Sequence, residues 1–160
     1  MPDPTERSAV RALLLTPQNE LLLQRIVEPA NKRVFWITPG GGREGDEAPV
    51  TCLKREVFEE TGYTVDAVGP AIWTRAHTFT WDGETVRQRE QLHVVPVPRF
   101  EPHTRFMPDD IERVTITLMR WWTLDAIERS PEVFVPGRLA FFLRQLLAVG
   151  PPASPIDVGR

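Results

Sequence analysis

Three carboxylates in one short stretch suggest a chemistry. Glu56, Glu59 and Glu60 stand at spacings i, i+3 and i+4. On an α-helix, at about 100° per residue, they fall within an arc of roughly 100° on one face. Like charges at this spacing repel one another and weaken the helix that carries them. The natural partner of such a face is a divalent cation that prefers oxygen ligands, Mg²⁺ or, in its place, Mn²⁺. The plainer alternative is a solvated acidic surface, which is what most charge runs are.

The stretch around them supplies the elements that would position these groups. Residues 40–63 read GGGREGDEAPVTCLKREVFEETGY. Gly40, Gly41 and Gly42 weaken any strand or helix, so their use is backbone freedom or close approach to a ligand. Asp46 is the expected N-cap of the following helix, with Pro49 in its first turn. That helix is expected to run to about Thr61 and to stop at Gly62. Val50, Leu53 and Val57 form its apolar stripe, with Cys52 and Phe58 beside it. The carboxylate face is expected to lie apart from that stripe. Arg55 is i, i+4 with Glu59 and can hold that carboxylate by a charge-assisted hydrogen bond, but is not expected to share a face with Glu56.

The rest of the chain reads as strands with a few helices. Residues 8–16 and 20–25 read as a hairpin around Pro17-Gln18-Asn19. Residues 34–38 form a short β-rich run that stops at Pro39. Residues 65–73 and 74–81 read as two strands, Asp82-Gly83 as a hairpin turn, and residues 85–97 as the partner strand. A loop over 100–110 leads to a strand over 114–123 and a short helix over 124–129, capped by Thr123. Residues 136–149 form an amphipathic helix whose stripe is Leu139, Phe142, Leu143, Leu146 and Leu147. Residues 1–149 read as a single domain of the α+β class, or an α/β/α layered domain. Residues 150–160, rich in Pro and small residues, read as a flexible tail.

Composition narrows the function classes. The 160 residues are 41% hydrophobic and 26% charged, which are the proportions of a soluble globular protein. A net charge of −3 excludes a strongly basic nucleic-acid or membrane binder. Cys52 is the single cysteine, so there is no internal disulfide and no thiolate metal site. The N-terminal residues lack a secretory pattern, and no apolar run reaches the roughly 20 residues that span a bilayer. A cytoplasmic protein is expected. His77, His93 and His103 are scattered and receive no role, and the tryptophans are expected in the core or on sheet faces.

Residues 41–63 resemble the Nudix box, the signature of the Nudix hydrolases. Gly41, Glu47, Arg55, Glu56, Val57, Glu59, Glu60 and Gly62 all fit its pattern. Tyr63 replaces an aliphatic residue, and Asp46 stands where the family often has glycine. The resemblance implies a Nudix-type α/β/α sandwich with a mixed β-sheet. It also implies Mg²⁺-dependent hydrolysis of a phosphoanhydride bond in a nucleoside diphosphate-linked small molecule. By resemblance the metal ligands are Glu56, Glu59 and Glu60, with Glu44 and the backbone of Gly40 completing the shell. Glu59 or Glu60 would also orient or deprotonate water, and Arg55 joins them as a catalytic candidate. The general base in this family often lies on a later loop, and Glu112 is preferred here over Glu101 and Glu90. Gly41 and Glu47 would shape the substrate loop, and Arg87 and Arg89 could reach substrate phosphates. Substrate choice is expected to rest on the loops over 26–33, 79–84 and 98–110. A homodimer stays open. The alternative is a nucleotide-binding or regulatory module that keeps the fold without catalysis.

Overall fold

The leucine-rich run near the start of the chain is a strand because both of its faces are covered. In β1 (Thr5–Leu15), Leu13 and Leu14 are both fully buried although their side chains point to opposite sides. The computed structural model describes residues 3–81, 83–108 and 115–160. The remaining strands are β2 (Leu21–Val27), β3 (Val34–Ile37), β4 (Gly40–Gly42), β5 (Ala71–Trp81), β6 (Glu84–Pro96), β7 (Ile116–Trp122), β8 (Phe134–Val135) and β9 (Ile156–Asp157). The helices are α1 (Pro49–Thr61), α2 (Leu124–Arg129) and α3 (Leu139–Val149).

The described strands form one mixed sheet in the order β8-β3-β2-β1-β6-β5-β9, with β4 on β1 and β7 on β2. The expected turn after β1 is present, closed by the Thr16 amide on the Glu20 carbonyl at 3.0 Å. The expected hairpin is short, since β1 and β2 pair only at Leu15 and Leu21. The long partner of β1 is instead β6, parallel to it from Thr5–Val86 to Leu15–Pro96. Non-local pairing of this kind leaves no mark in a local turn signal.

Helices cover the sheet on both faces. Val10, Ala12, Leu14 and Leu22 pack against Cys52, Leu53 and Val57 of α1. Leu13, Leu21, Leu23, Trp73 and Leu92 pack against Leu139, Phe142, Leu143 and Leu146 of α3. The layered α+β sandwich is thus as expected. Thr123 caps α2 by accepting from the Ala126 amide at 3.1 Å.

Three local expectations are corrected. Residues 65–70 form no strand, and β5 is a single strand from Ala71, because Pro70 offers no amide to a ladder and Gly69 turns its own to the Val94 carbonyl. The N-cap of α1 is Ala48 rather than Asp46. A residue before proline is driven to extended backbone, and Ala48 has φ −66° and ψ 148°. Residues 150–160 are not a loose tail, since β9 runs parallel to β5 and Val158 is buried in the α3-side core. Small, proline-rich composition hides one apolar side chain that finds a pocket. Val158→Ala is expected to cost about 2 kcal/mol, or about 4–8 °C in melting temperature. An unchanged thermal melt would return this segment to a flexible tail.

Candidate active site

The glycines are not a loop but a short strand, and that strand builds the site. Pro39 ends β3, and β4 then pairs antiparallel with β1, setting Gly40 opposite Arg11 and Gly41 opposite Val10. Gly40 has φ +153°, and a Cβ there would lie 2.1 Å from the Val10 carbonyl oxygen. Only glycine lets the chain pass this close. The Gly40 amide donates to Glu60 Oε2 at 2.9 Å, and Gln24 Nε2 donates to the same oxygen at 3.0 Å. A Cβ on Gly41 would meet the Glu56 carboxyl carbon at 2.7 Å. The two glycines therefore make room for two carboxylates of α1.

The helix that carries these groups ends as expected. Gly62 is left-handed at φ 80° and returns its amide to the Phe58 carbonyl. The carboxylate face does not lie apart from the apolar stripe. Glu56 and Glu60 are buried with Cys52, Leu53 and Val57, while Val50 and Phe58 are exposed. Burial, and next the charge of Glu56, push the Glu60 carboxyl up to about 8.

Arg55 is the hub of the cluster. Its Nε and Nη2 donate to Glu47 Oε2 and Oε1 at 2.8 and 2.9 Å, a bidentate pair. Its Nη1 donates to Glu56 Oε1 at 3.0 Å and to Glu59 Oε2 at 3.2 Å. So Arg55 does serve Glu56, because its long side chain swings back across the helix face that its Cα does not share. The hydrogen bond from Arg55 holds Glu47 down at about 2, and the same bond raises the guanidinium. Glu47 also accepts from the Glu44 amide at 3.1 Å, bracing the loop before α1. Glu44 itself is exposed, 3.7 Å from Arg55 Nη1. Cys52 lies fully buried against the carbonyls of Gly41 and Gly42, and burial lifts its thiol to about 12. It packs and is no nucleophile.

The donor set fits a hard cation by its chemistry. Three carboxylates stand on one helix, and burial and a like charge lift Glu60 in pKa, both of which a cation would relieve. As placed, Arg55 bridges Glu56 and Glu59 while Glu60 turns to Gln24 and Gly40. Among the described residues, no three acidic, histidine or cysteine side chains stand ready around one point. Gly40 meets the cluster through its amide, at Glu60.

Other predicted residues fall elsewhere. Glu90, a candidate base, is buried with both oxygens occupied. Oε2 accepts from Arg11 Nε at 2.7 Å and Gln88 Nε2 at 2.8 Å, and Oε1 accepts from Arg75 Nη1 at 2.7 Å. Burial pushes this carboxyl up, but the two arginines outweigh it and hold it at about 2. Such a group takes no proton near neutral pH, so Glu90 is not the base. Arg87 and Arg89 alternate out of step with Gln88 and Glu90 along β6, on the opposite sheet face. They are exposed, and Arg89 pairs with Glu6. Glu101 is exposed in the loop after β6. Glu112 lies outside the described residues.

Sequence reasoning missed Arg11 and Gln24. The signal was present, since Arg11 interrupts the apolar run AVRALLL and Gln24 directly follows three buried leucines. Such a side chain needs a partner once the strand is buried.

Comparison with known proteins agrees with this architecture. A family model described as NUDIX domain matches residues 5–145. Among solved structures, a MutT protein from Methanosarcina mazei superposes with a TM-score of 0.66 at 20% identity, covering 91% of this chain and 95% of that one. A MutT NUDIX hydrolase from Burkholderia pseudomallei gives 0.66 at 21% identity, covering 89% and 98%. The NUDIX domain of Shewanella oneidensis NrtR, solved with ADP ribose, gives 0.65 at 16% identity, covering 92% and 91%. The curated proteins contain no match. With the family model spanning most of the chain and the box residues gathered around Arg55, the chain belongs to the Nudix hydrolase family.

Proposed function

We propose that this protein hydrolyses a phosphoanhydride bond in a nucleoside diphosphate-linked substrate, with Mg²⁺ bound at the α1 carboxylates. The observation that carries this reading is that Arg55 holds Glu56 and Glu59 together while the Gly40 amide of β4 holds Glu60 on the same helix. Bound Mg²⁺ would neutralise charge on the phosphoryl oxygens and lower the pKa of a water molecule. Glu56, Glu59 and Glu60 would hold it. Glu59 is more exposed than Glu56, with 23% of its side chain accessible against 10%, and is the carboxylate assigned to orient the attacking water. Arg55 is a positioning residue, which fixes Glu56 and Glu59 and is itself fixed by Glu47. Binding of ADP ribose by the NrtR domain supports a nucleotide-type substrate for a relative of the same fold.

Arg55→Lys tests the hub. A lysine keeps the charge but cannot make the bidentate pair while also reaching two further carboxylates. We expect kcat to fall about tenfold with little change in KM. An unchanged kcat would reduce Arg55 to a surface ion pair.

The deciding experiment is a hydrolysis screen over nucleoside triphosphates, oxidised nucleotides, ADP-ribose and dinucleoside polyphosphates, with Mg²⁺ and with EDTA. Turnover that EDTA abolishes is expected. Saturable binding with no turnover in any metal would turn the reading to a non-catalytic nucleotide-binding module.

A further inference from the structure

The strand that pairs with the glycines carries a second charged group into the same place. Arg11 stands opposite Gly40, the residue whose amide holds Glu60. A Cβ on Gly40 would lie 2.8 Å from Arg11 Cγ, so the two residues are in contact. The guanidinium of Arg11 is fixed at two points. Its Nε donates to Glu90 at 2.7 Å, and its Nη1 donates to the Thr38 carbonyl at 2.8 Å. Its side chain keeps 15% of its surface accessible, while that of Glu90 keeps 1%. Its charge acts on Glu60 and Glu56 as well as on Glu90.

Behind Arg11 the charge count does not balance. Arg11 and Arg75 share the single carboxylate of Glu90. Arg75 is only 7% exposed, and its buried Nε has no hydrogen-bond partner. Arg7, four positions earlier on the same face of β1, is exposed and lies against Gly42, where a Cβ would come within 2.3 Å of its Nη2. Two guanidiniums on one buried carboxylate, with an N–H of Arg75 unpartnered, are costly unless further negative charge offsets them. Glu90 is thus a brace, buried and saturated. Arg11, with 15% of its side chain accessible against 7% for Arg75, is the more open of the two guanidiniums, and its charge reaches Glu60 and Glu56.

We propose that Arg11, braced by Glu90 and the Thr38 carbonyl, is a phosphate-binding residue that holds one phosphoryl group of the substrate's diphosphate beside the α1 carboxylates. The proposal rests on the hydrolase reading above for its substrate class. A guanidinium already fixed by two partners loses little freedom when an anion arrives, which is what a phosphate clamp requires. The positive charge also offsets repulsion between substrate phosphates and the three carboxylates.

The probe is methylenediphosphonate, whose P–C–P bridge resists hydrolysis, titrated calorimetrically into the full chain in excess Mg²⁺. Arg11→Gln is expected to weaken its binding about tenfold or more. Arg11→Lys keeps a charge for Glu90 and is expected to lose several-fold. Arg129→Gln, an exposed residue paired with Asp125, is expected to bind as the wild type does. Wild-type affinity in Arg11→Gln, or no binding by the wild type, overturns the proposal and leaves Arg11 as an ion pair of the fold. If Arg11→Gln gives no cooperative melt, Arg11→Lys decides, and an unchanged affinity there overturns it. The two readings fail separately. Hydrolysis with an unchanged KM in Arg11→Gln sinks the subsite alone. Arg11-dependent diphosphonate binding without turnover of any nucleotide sinks the hydrolase reading alone.

Discussion

Glu60→Gln is expected to lower kcat by about a hundredfold or more while leaving the fold intact. The substitution is nearly isosteric, and a glutamine oxygen can still accept from the Gly40 amide and Gln24 Nε2. What it removes is the negative charge that a divalent cation needs. The effect on stability runs the other way and depends on pH. The folded carboxyl titrates at about 8, above its ordinary value of 4.5, so the folded chain holds this proton more tightly than the unfolded chain. In metal-free protein the stabilising proton is fully present below about pH 4.5 and is lost as pH rises toward 8. Wild-type stability in EDTA is therefore expected to fall between pH 5 and 8.5. Glu60→Gln, which resembles the neutral form at every pH, should lack this slope. Mg²⁺ should restore more wild-type stability at pH 8.5 than at pH 5, because it binds the ionised group. Urea melts at the two pH values, with and without Mg²⁺, measure all three. Equal slopes for wild type and variant would assign the titration to another group.

Gly40→Ala and Gly41→Ala are adjacent substitutions with opposite expected outcomes. At Gly40 the new methyl would meet backbone, 2.1 Å from the Val10 oxygen and 2.6 Å from Arg11 Cα, and φ is +153°. Neither backbone atom can move without breaking the β1–β4 pairing. The expected cost is about 3 kcal/mol or more, or about 6–12 °C or more in melting temperature. At Gly41 the methyl would instead meet the Glu56 carboxyl, at 2.7 Å from its carbon. That group sits at the end of a side chain that can rotate. Gly41→Ala should therefore fold with a near-normal melting temperature and lose activity by tenfold or more as Glu56 is pushed off Arg55. Circular-dichroism melts and a single-substrate assay separate the cases. A stable Gly40→Ala would contradict the close approach, and an active Gly41→Ala would contradict the placement of Glu56.

Much of the site was legible because its code is local. Spacing i, i+3 and i+4 puts Glu56, Glu59 and Glu60 together on any helix, and the pattern from Gly41 to Gly62 named the family before any coordinates. The helix end at Gly62, the short helix after Thr123 and the stripe of α3 are likewise set by neighbours a few residues apart. Where reading failed, the deciding partner was distant. Pairing of β1 with β6 joins residues about 80 positions apart, and it alone brings Glu90 to Arg11. That contact turned a candidate base into a saturated brace. Val158 looked like part of a loose tail because its pocket is built by other segments of the chain.

The sequence by itself determined the family, the layered α+β class and the grouping of Glu56, Glu59 and Glu60 on one helix, since periodicity and motif spacing act over one or two helical turns. Tertiary structure alone decided what surrounds those carboxylates. It buried Glu60 beneath Gly40 and Gln24, wrapped Arg55 around Glu47, and set Arg11 at the edge of the cluster. Burial and charge pairing are properties of groups brought together across the fold, and they set pKa and affinity through distances that no single stretch of chain contains.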